Sequence, residues 1–236
     1  MALRRSIPAT AHEATMLVRG EAAAPAVGAA SRYKVYANPQ ERIRLPGLTR
    51  ARQGGQVWDA LAGARGEPAE GGWIDQQELG RVLWACAGLI DGRQRTHLVP
   101  GDTSGLEAYV IVHSVRELSV GRYHYDAREH TLEQLGSGDA RSSLASALLD
   151  RADLDAFAAT LVVTGLPARL MARHGARAYR LLTLEAGAAA QAAVVAATAL
   201  GLTGCLIAGF YDDEVAALLD LDPALEPALV VVALGR

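Results

Sequence analysis

Lysine and cysteine are both scarce in this chain of 236 residues. Lys34 is the single lysine among the 23 basic residues, so a mechanism that needs a catalytic lysine could use this residue alone. Cys86 and Cys205 are the two cysteines, and neither lies in a CxxC motif or at the Cys/His spacing of a zinc site. We therefore expect two buried free thiols, and we predict no metal centre.

An excess of positive charge is also missing, since the formal net charge is −3. Nucleic acid is therefore a poor candidate partner. Arg4 and Arg5 are not followed by an apolar run, so the sequence shows no signal peptide. Because 50% of the residues are hydrophobic, the chain can bury a sizeable core. We expect a soluble cytoplasmic protein that binds neither nucleic acid nor membranes.

The longest apolar stretch runs from Tyr179 to Leu202, is rich in alanine and contains no proline. This composition predicts the central buried helix of a soluble domain. A membrane span is the alternative for about 20 apolar residues. Arg180, Glu185 and Gln191 interrupt the stretch, and charged groups inside an isolated span are costly. We expect the buried Glu185 to pair with an arginine such as Arg177 or Arg180, or with a partner elsewhere in the fold.

The remaining segments predict helices and strands that alternate irregularly. Helices are predicted over 56–63, 76–89, 142–157, 167–174 and 212–219. Strands are predicted over 106–112, 121–126, 129–135, 160–164, 205–210 and 229–234. Asp75 and Glu78 form a capping-box pattern before the second helix, and Asp212 or Asp213 is expected to cap the last helix. The hairpin among the central strands indicates an α+β layout rather than a doubly wound sheet.

Several stretches, taken in chain order, resemble one protein family. They are His12-Glu13-Ala14-Thr15, the segment 33–46, the helix 76–89, the hairpin 121–135 (GRYHYDAREHTLEQL), the segment 176–191 (ARAYRLLTLEAGAAAQ), the segment 200–222 and the closing Gly235-Arg236. Each motif is short, but together and in this order they are specific, and they cover most of the chain. On these motifs the chain is identified as a member of the SagB-type (ThcOx-like) dehydrogenases, within the FMN-dependent nitroreductase superfamily.

The resemblance implies a homodimer with FMN bound at the subunit interface. The implied fold is nitroreductase-like, with an antiparallel-rich sheet flanked by helices around a long central buried helix. We expect an N-terminal arm and extended segment over 1–50 and the nitroreductase-like domain over 51–236. The best-known members of the family oxidise thiazolines and oxazolines in peptides or on assembly-line carriers, and the flavin takes the hydride while a basic group removes a proton. Other proteins of a biosynthetic complex are possible partners.

The resemblance also implies which residues contact FMN. The matching positions are Arg65, Arg95, Gly101, Gln191, Gly209 and Arg236. Two motifs depart from the family pattern. Around Arg65 the phosphate motif has lost a serine and two arginines and has gained Glu67, although phosphate sites favour arginine and hydroxyl donors. In the loop after Arg95, bulkier residues replace the Pro-Ser-Ala that would line the flavin.

The lysine-tyrosine pair of the azoline dehydrogenases falls on Arg173 and His174. Arginine keeps its proton at neutral pH, so Arg173 does not preserve the role of the lysine as a base. His174 is a candidate acid or base, because its ordinary pKa lies near neutrality. The alternative is a histidine at a helix end that touches solvent or a carbonyl. His124 faces the opposite side of its strand from Tyr123 and Tyr125, and we interpret it as structural packing.

Two functional hypotheses follow. The first is an FMN-dependent oxidoreductase that acts on a peptide-derived or carrier-bound heterocycle, and the matching cofactor positions favour it. The second is a degenerate family member that has lost FMN and serves as a non-catalytic partner or in flavin-independent chemistry, and the eroded phosphate motif favours it. Because the fold is common to both, the fold cannot decide between them.

Overall fold

A computed structural model describes residues 11, 33–47, 57–64, 72–101, 103–149 and 154–236. Six helices are seen in these ranges: α1 Val57–Gly63, α2 Gln76–Ala87, α3 Arg141–Ala147, α4 Pro167–His174, α5 Ala178–Ala199 and α6 Asp212–Leu218. The strands in these ranges are β1 Arg42–Arg44, β2 Leu89–Ile90, β3 Gln94–Arg95, β4 Leu106–Val112, β5 Gly121–Asp126, β6 Thr131–Ser137, β7 Phe157–Gly165, β8 Thr203–Ile207 and β9 Ala228–Gly235. Of the arm and extended segment expected over 1–50, residue 11 and residues 33–47 are described, and the other residues lie outside the described part.

Seven strands form one antiparallel sheet in the order β1-β6-β5-β4-β7-β9-β8. The predicted central hairpin is the β4-β5-β6 meander, in which Tyr109 of β4 lies opposite His124 of β5. Strands β2 and β3 form a separate small hairpin. The predicted α+β layout, with an antiparallel-rich sheet and a long central helix, is therefore confirmed.

Both faces of the sheet are covered, which explains why β4 reads as a nearly continuous apolar run. Alternate residues of a strand point to opposite faces, so Leu106, Ala108 and Val110 join the core beneath α2 and α5. Tyr109 and Ile111 join a second core, which contains side chains of α3 and α6. The domain is thus a sheet between two helical layers.

Helix α5 is central, but it is buried on one side only. It packs against α2, β8 and β9. Strand β8 comes especially close, since a β-carbon at Gly204 would lie 3.1 Å from the Val194 Cα atom. On its other side Tyr179 and Leu184 are 55% and 58% exposed. The helical run 167–199 is long and apolar enough to cross a membrane, but 44% of its apolar window is buried inside the domain. Helix α5 is therefore packed into the core on one side and exposed on the other.

The end of one helix and the cap of another differ clearly from the sequence predictions. The helix predicted over 142–157 ends at Ala147, because Leu148 turns to an extended conformation and forms a bridge with Phe210. Phe157 instead begins β7. The predicted caps Asp212 and Asp213 lie inside the first turn of α6, where their charge favours the helix N-terminus, and the capping position is Tyr211.

The capping box predicted for α2 is confirmed. The Asp75 side chain accepts a hydrogen bond from the Glu78 backbone N–H at 2.7 Å, and the Glu78 side chain accepts from the Asp75 N–H at 2.9 Å.

Residues 33–47, which we call the strap, run along the sheet before the first described helix. Within the strap, β1 pairs with β6, and Leu45 donates its N–H to the His130 carbonyl at 3.0 Å. The extended conformation expected for this segment is therefore present in its described part.

Candidate functional site

A cavity of about 440 Å³ opens between the β2-β3 hairpin and the loop that leads into β4. It is lined by Tyr33, Leu89, Arg93, Gln94, Arg95, His97, Leu98, Val99, Gly101, Thr103 and Ser104. Among these described lining residues are two arginines and three residues with a hydroxyl group, and none carries a carboxylate. Guanidinium and hydroxyl donors suit an anionic ligand, and the volume lies within the range of small-molecule sites.

The end of helix α2 fixes the position of this cavity. Arg95 donates from its guanidinium group to the Ala87 carbonyl, and Thr96 donates its hydroxyl to the Trp84 carbonyl at 2.6 Å. The last carbonyls of a helix lack partners within the helix, so Arg95 satisfies the Ala87 carbonyl, while the Trp84 carbonyl also accepts the Gly88 N–H at 2.8 Å. The β2-β3 turn at Asp91 and Gly92 has positive φ angles (50° and 70°), as tight hairpins require.

Gly101 brings the loop of the cavity against the end of α4. A β-carbon at Gly101 would lie 3.3 Å from His174 Nε2, so only glycine allows this approach without a shift of the ring. Helix α4 ends at His174 because Gly175 takes a positive φ of 53°. Arg173 precedes it in the last turn of α4 and is exposed. The predicted acid or base is therefore adjacent to a residue that lines the cavity.

Beneath the loop, Glu185 of α5 pairs with His97. His97 Nε2 lies 3.1 Å from Glu185 Oε1, and the other carboxylate oxygen accepts the Gly105 N–H at 3.1 Å. The two side chains are 0% and 1% exposed. The prediction that Glu185 pairs with Arg177 or Arg180 is corrected to His97, which fits the alternative of a partner elsewhere in the fold.

A second polar cluster lies on the other face of the sheet, around His124. His124 Nε2 lies 3.0 Å from Glu107 and Nδ1 lies 2.9 Å from Glu133, and all three residues are buried. Burial lowers the pKa of His124, but hydrogen bonds to the two carboxylates outweigh it and raise the pKa. For Glu107 burial raises the pKa, but the hydrogen bond from His124 and the charge of Arg169 outweigh it and lower the pKa to about 2. A protonated His124 ring donates one hydrogen bond to each carboxylate, and its positive charge offsets the buried negative charges.

This His124 cluster anchors the strap. Lys34 donates its backbone N–H to Glu107 at 3.1 Å, and Tyr36 donates its backbone N–H to Glu133 at 3.2 Å. The Lys34 ammonium lies 2.5 Å from the buried Glu226. Burial lowers the pKa of Lys34, but the hydrogen bond and charge of Glu226 outweigh it and raise the pKa. These contacts support the interpretation of His124 as structural. They also hold Tyr33, the first residue of the strap, at the cavity that it lines.

Comparisons with known proteins decide the family. A sequence model of the nitroreductase family matches residues 74–236, which is more than half of the chain. The chain belongs to the nitroreductase family. A curated protein of Methanocaldococcus jannaschii, provisionally named a nitroreductase, is 29% identical over 161 residues, which cover 68% of this chain and 80% of that protein.

Solved structures of other proteins share this fold. A provisionally named nitroreductase of Ralstonia eutropha has a TM-score of 0.69 at 23% identity, and the alignment covers 93% of this chain and 96% of that chain. A chain of the Escherichia coli microcin synthetase McbBCD complex, solved with truncated pro-MccB17 bound, has a TM-score of 0.63 at 22% identity and covers 73% of this chain and 70% of that chain. At these identities the likeness concerns the fold.

The nitroreductase fold brings some of the predicted site residues together and separates others. Arg95 and Gly101 line the cavity, and His174 adjoins Gly101, with Arg173 next to it. Gln191 is exposed on α5, ten residues beyond Leu181, whose side chain also adjoins Gly101; at 1.5 Å per residue this is about 15 Å along the helix.

The remaining predicted cofactor residues lie outside the cavity lining. Gly209 lies between β8 and α6, where its carbonyl accepts the Leu149 N–H at 3.0 Å. Arg236 follows β9, and its guanidinium lies 2.5 Å from Glu78 at the start of α2. Arg65 lies outside the described residues. In the described chain the cavity therefore contains part of the predicted cofactor set.

Sequence reasoning did not identify His97 as a site residue. The signal available was Glu185, an acidic residue in an apolar helix that had to find a partner. The partner lies 88 positions away in a loop, and no local pattern could indicate it.

Proposed function

We propose that this member of the nitroreductase family is an FMN-dependent oxidoreductase resembling the azoline dehydrogenases, which acts on a heterocycle in a peptide-derived or carrier-bound substrate. The observation that carries the proposal is the cavity in which Arg95 and Gly101 lie next to His174. Members of this family bind FMN, and the motif resemblance implies a flavin contact for Arg95 and Gly101 and an acid or base role for His174.

The residues of the cavity fit FMN in its chemistry. The guanidinium groups of Arg93 and Arg95 and the hydroxyls of Thr103 and Ser104 are donors for an anionic or carbonyl-bearing group. Gly101 has no side chain, so it leaves room for a flat ring to approach the backbone. Bound FMN supplies the hydride acceptor of an oxidation.

In this proposal His174 moves the proton. Its Nε2 atom lies beside Gly101 in the loop that lines the cavity, so we assign His174 the proton that leaves a substrate bound in this cavity. Arg173 keeps its proton, so it contributes positive charge to the binding of an anionic substrate rather than acting as a base.

The exposed side of α5 supports the homodimer that the resemblance implies. Tyr179 and Leu184 are more than half exposed, and Gly187 and Ala188 lie beside them without bulky side chains. Large apolar side chains that remain exposed on an otherwise packed helix favour an interaction surface, and they share this side of α5 with the polar residues Arg180 and Thr183. Gln191 lies on this face, so a second copy packed here would bring it to the interface at which the family is expected to hold its cofactor.

A specific observation favours the FMN-free alternative. Arg236, which matches a phosphate ligand of the family, is engaged by the Glu78 carboxylate and by the Trp73 carbonyl. An arginine that is already paired with a carboxylate is a weaker ligand for phosphate, because the two anions compete for the same donors. In this alternative the protein acts as a non-catalytic partner or in flavin-independent chemistry.

The visible absorption spectrum tests the proposal. The purified protein is passed through gel filtration before and after incubation with excess FMN, and absorbance is followed at the flavin bands. We expect flavin to elute with a protein peak of dimer size. A protein that elutes without flavin after incubation would refute the oxidoreductase and favour the alternative.

A further inference from the structure

Glu185 is a buried carboxylate that contacts one loop at two points. It lies on the inner side of α5, where its neighbours in sequence are apolar, and its side chain is 1% exposed. A carboxylate in such a position is costly unless hydrogen-bond donors satisfy both oxygens. The loop that lines the cavity provides both donors.

The two contacts fall at the two ends of this loop. Oε1 binds the His97 ring near its beginning, and Oε2 binds the Gly105 N–H at its end, immediately before β4. Gly101 lies halfway between them and meets His174. Gly105 also packs tightly on α5, since a β-carbon there would lie 2.5 Å from Leu182 Cδ1. One side chain thus connects both ends of the loop to the central helix.

We propose that Glu185 is a positioning residue, which ties the loop 97–105 to α5 through His97 and Gly105 and so keeps Gly101 against His174. The effect of this tie on flavin binding rests on the proposed function. The tie consists of hydrogen bonds within the protein, so its effect on the loop can be measured without FMN.

The hydrogen-bond pattern defines the protonation that the tie requires. The ionised carboxylate only accepts, so His97 must donate from Nε2. Nδ1 of His97 is buried without a hydrogen-bond partner among the described residues. A neutral ring protonated on Nε2 leaves only a lone pair at this position, which costs less than a buried unpaired N–H.

Hydrogen exchange of the protein without FMN tests the proposal, with mass spectrometry of peptides that cover residues 94–106. We expect Glu185→Leu, which keeps the bulk of the side chain, to speed exchange of the loop amides by about tenfold or more, because both ends lose a charge-assisted bond. Glu185→Gln should lie between the wild type and Glu185→Leu. Its amide can accept from Gly105 and donate to Nε2 of His97, but this forces the ring proton onto the unpartnered Nδ1.

His113→Leu is the control, since His113 is a buried side chain that hydrogen-bonds Thr160 away from the loop and the strap. It should leave exchange of the loop at the wild-type rate. His97→Leu is the second variant if Glu185→Leu does not fold. It should speed exchange near residue 97 and leave the Gly105 amide protected.

Titration of FMN fluorescence gives the second readout. We expect Glu185→Leu to weaken FMN binding by about tenfold, with Glu185→Gln in between. If the loop in Glu185→Leu or His97→Leu exchanges at the wild-type rate, the positioning role is wrong. If the wild type binds no FMN, the proposed function fails, and the exchange data still decide the role of Glu185.

Discussion

Substitution of Glu107 tests the buried charge cluster that anchors the strap. Glu107 accepts hydrogen bonds from His124, from Arg169 and from the Lys34 backbone, and it is 6% exposed. Glu107→Gln keeps the shape of the side chain but removes its charge and directs N–H groups at some of these donors. Removing one partner of a buried charge network typically costs about 3–5 kcal/mol.

The pKa of Glu107 sets the pH dependence of this loss. The value falls from the usual 4.5 to about 2, so the ionised form adds about 3 kcal/mol of stability at neutral pH. Because the pKa is lowered on folding, this contribution is complete above 4.5 and is lost as the pH falls through 2. Between about pH 5.5 and about pH 3 the wild type should lose about 2 kcal/mol from this group. Below about pH 5.5 an unfolded histidine is largely protonated, so His124 adds little to the slope.

Urea unfolding followed by circular dichroism measures the effect. The free energy of unfolding is determined for the wild type and for Glu107→Gln at several pH values in this range. We expect the difference between them to shrink by about 2 kcal/mol from the higher to the lower pH. Glu129→Gln, which removes an exposed carboxylate in the β5-β6 turn, is the control and should leave the curve unchanged. A difference between wild type and Glu107→Gln that stays constant with pH would refute the assigned charge state.

Two further predictions concern the proposed flavin site and the exposed side of α5. Gly101→Ala places a β-carbon 3.3 Å from His174 Nε2, so it should weaken FMN binding measured by fluorescence titration. Gly47→Ala, whose β-carbon meets nothing within 4 Å, is the control and should bind FMN like the wild type. Equal FMN affinities of the wild type and Gly101→Ala would show that Gly101 is not part of the flavin site. Leu184→Glu puts a charge on the exposed side of α5 and should shift the gel-filtration peak from dimer to monomer. Leu225→Glu, at an exposed site outside α5, is the control and should leave the peak at the dimer position. If Leu184→Glu still elutes as a dimer, this side of α5 is not the dimer interface.

The sequence predicts the secondary structure best where a local signal is strong. The capping box of Asp75 and Glu78 and the apolar run of β4 both have local causes, namely a hydrogen-bonding pair three residues apart and a strand buried on both faces. The end of α3 was mispredicted, because the bridge between Leu148 and Phe210 joins residues far apart in sequence. Helix α5 was predicted as a helix, but its composition does not distinguish burial by its own chain from burial by a second copy.

The candidate site was less predictable than the fold for a similar reason. Motif resemblance indicated Arg95, Gly101 and His174, which the structure places near one another. It could not indicate that Arg236 pairs with Glu78, because Glu78 has a separate local role in the helix cap. Long-range pairing of charged groups depends on the assembled fold, and short motifs do not encode it.

The position of Lys34 has a practical consequence for labelling. As the single lysine of the chain, it is the one side-chain amine that acylating dyes can modify. Its ammonium group is held by Glu226 and by the Tyr109 hydroxyl, so it reacts poorly while these contacts persist. Acylation of Lys34 would therefore mark molecules in which the strap has separated from the sheet, and the yield of modified peptide over time would report how often this separation occurs.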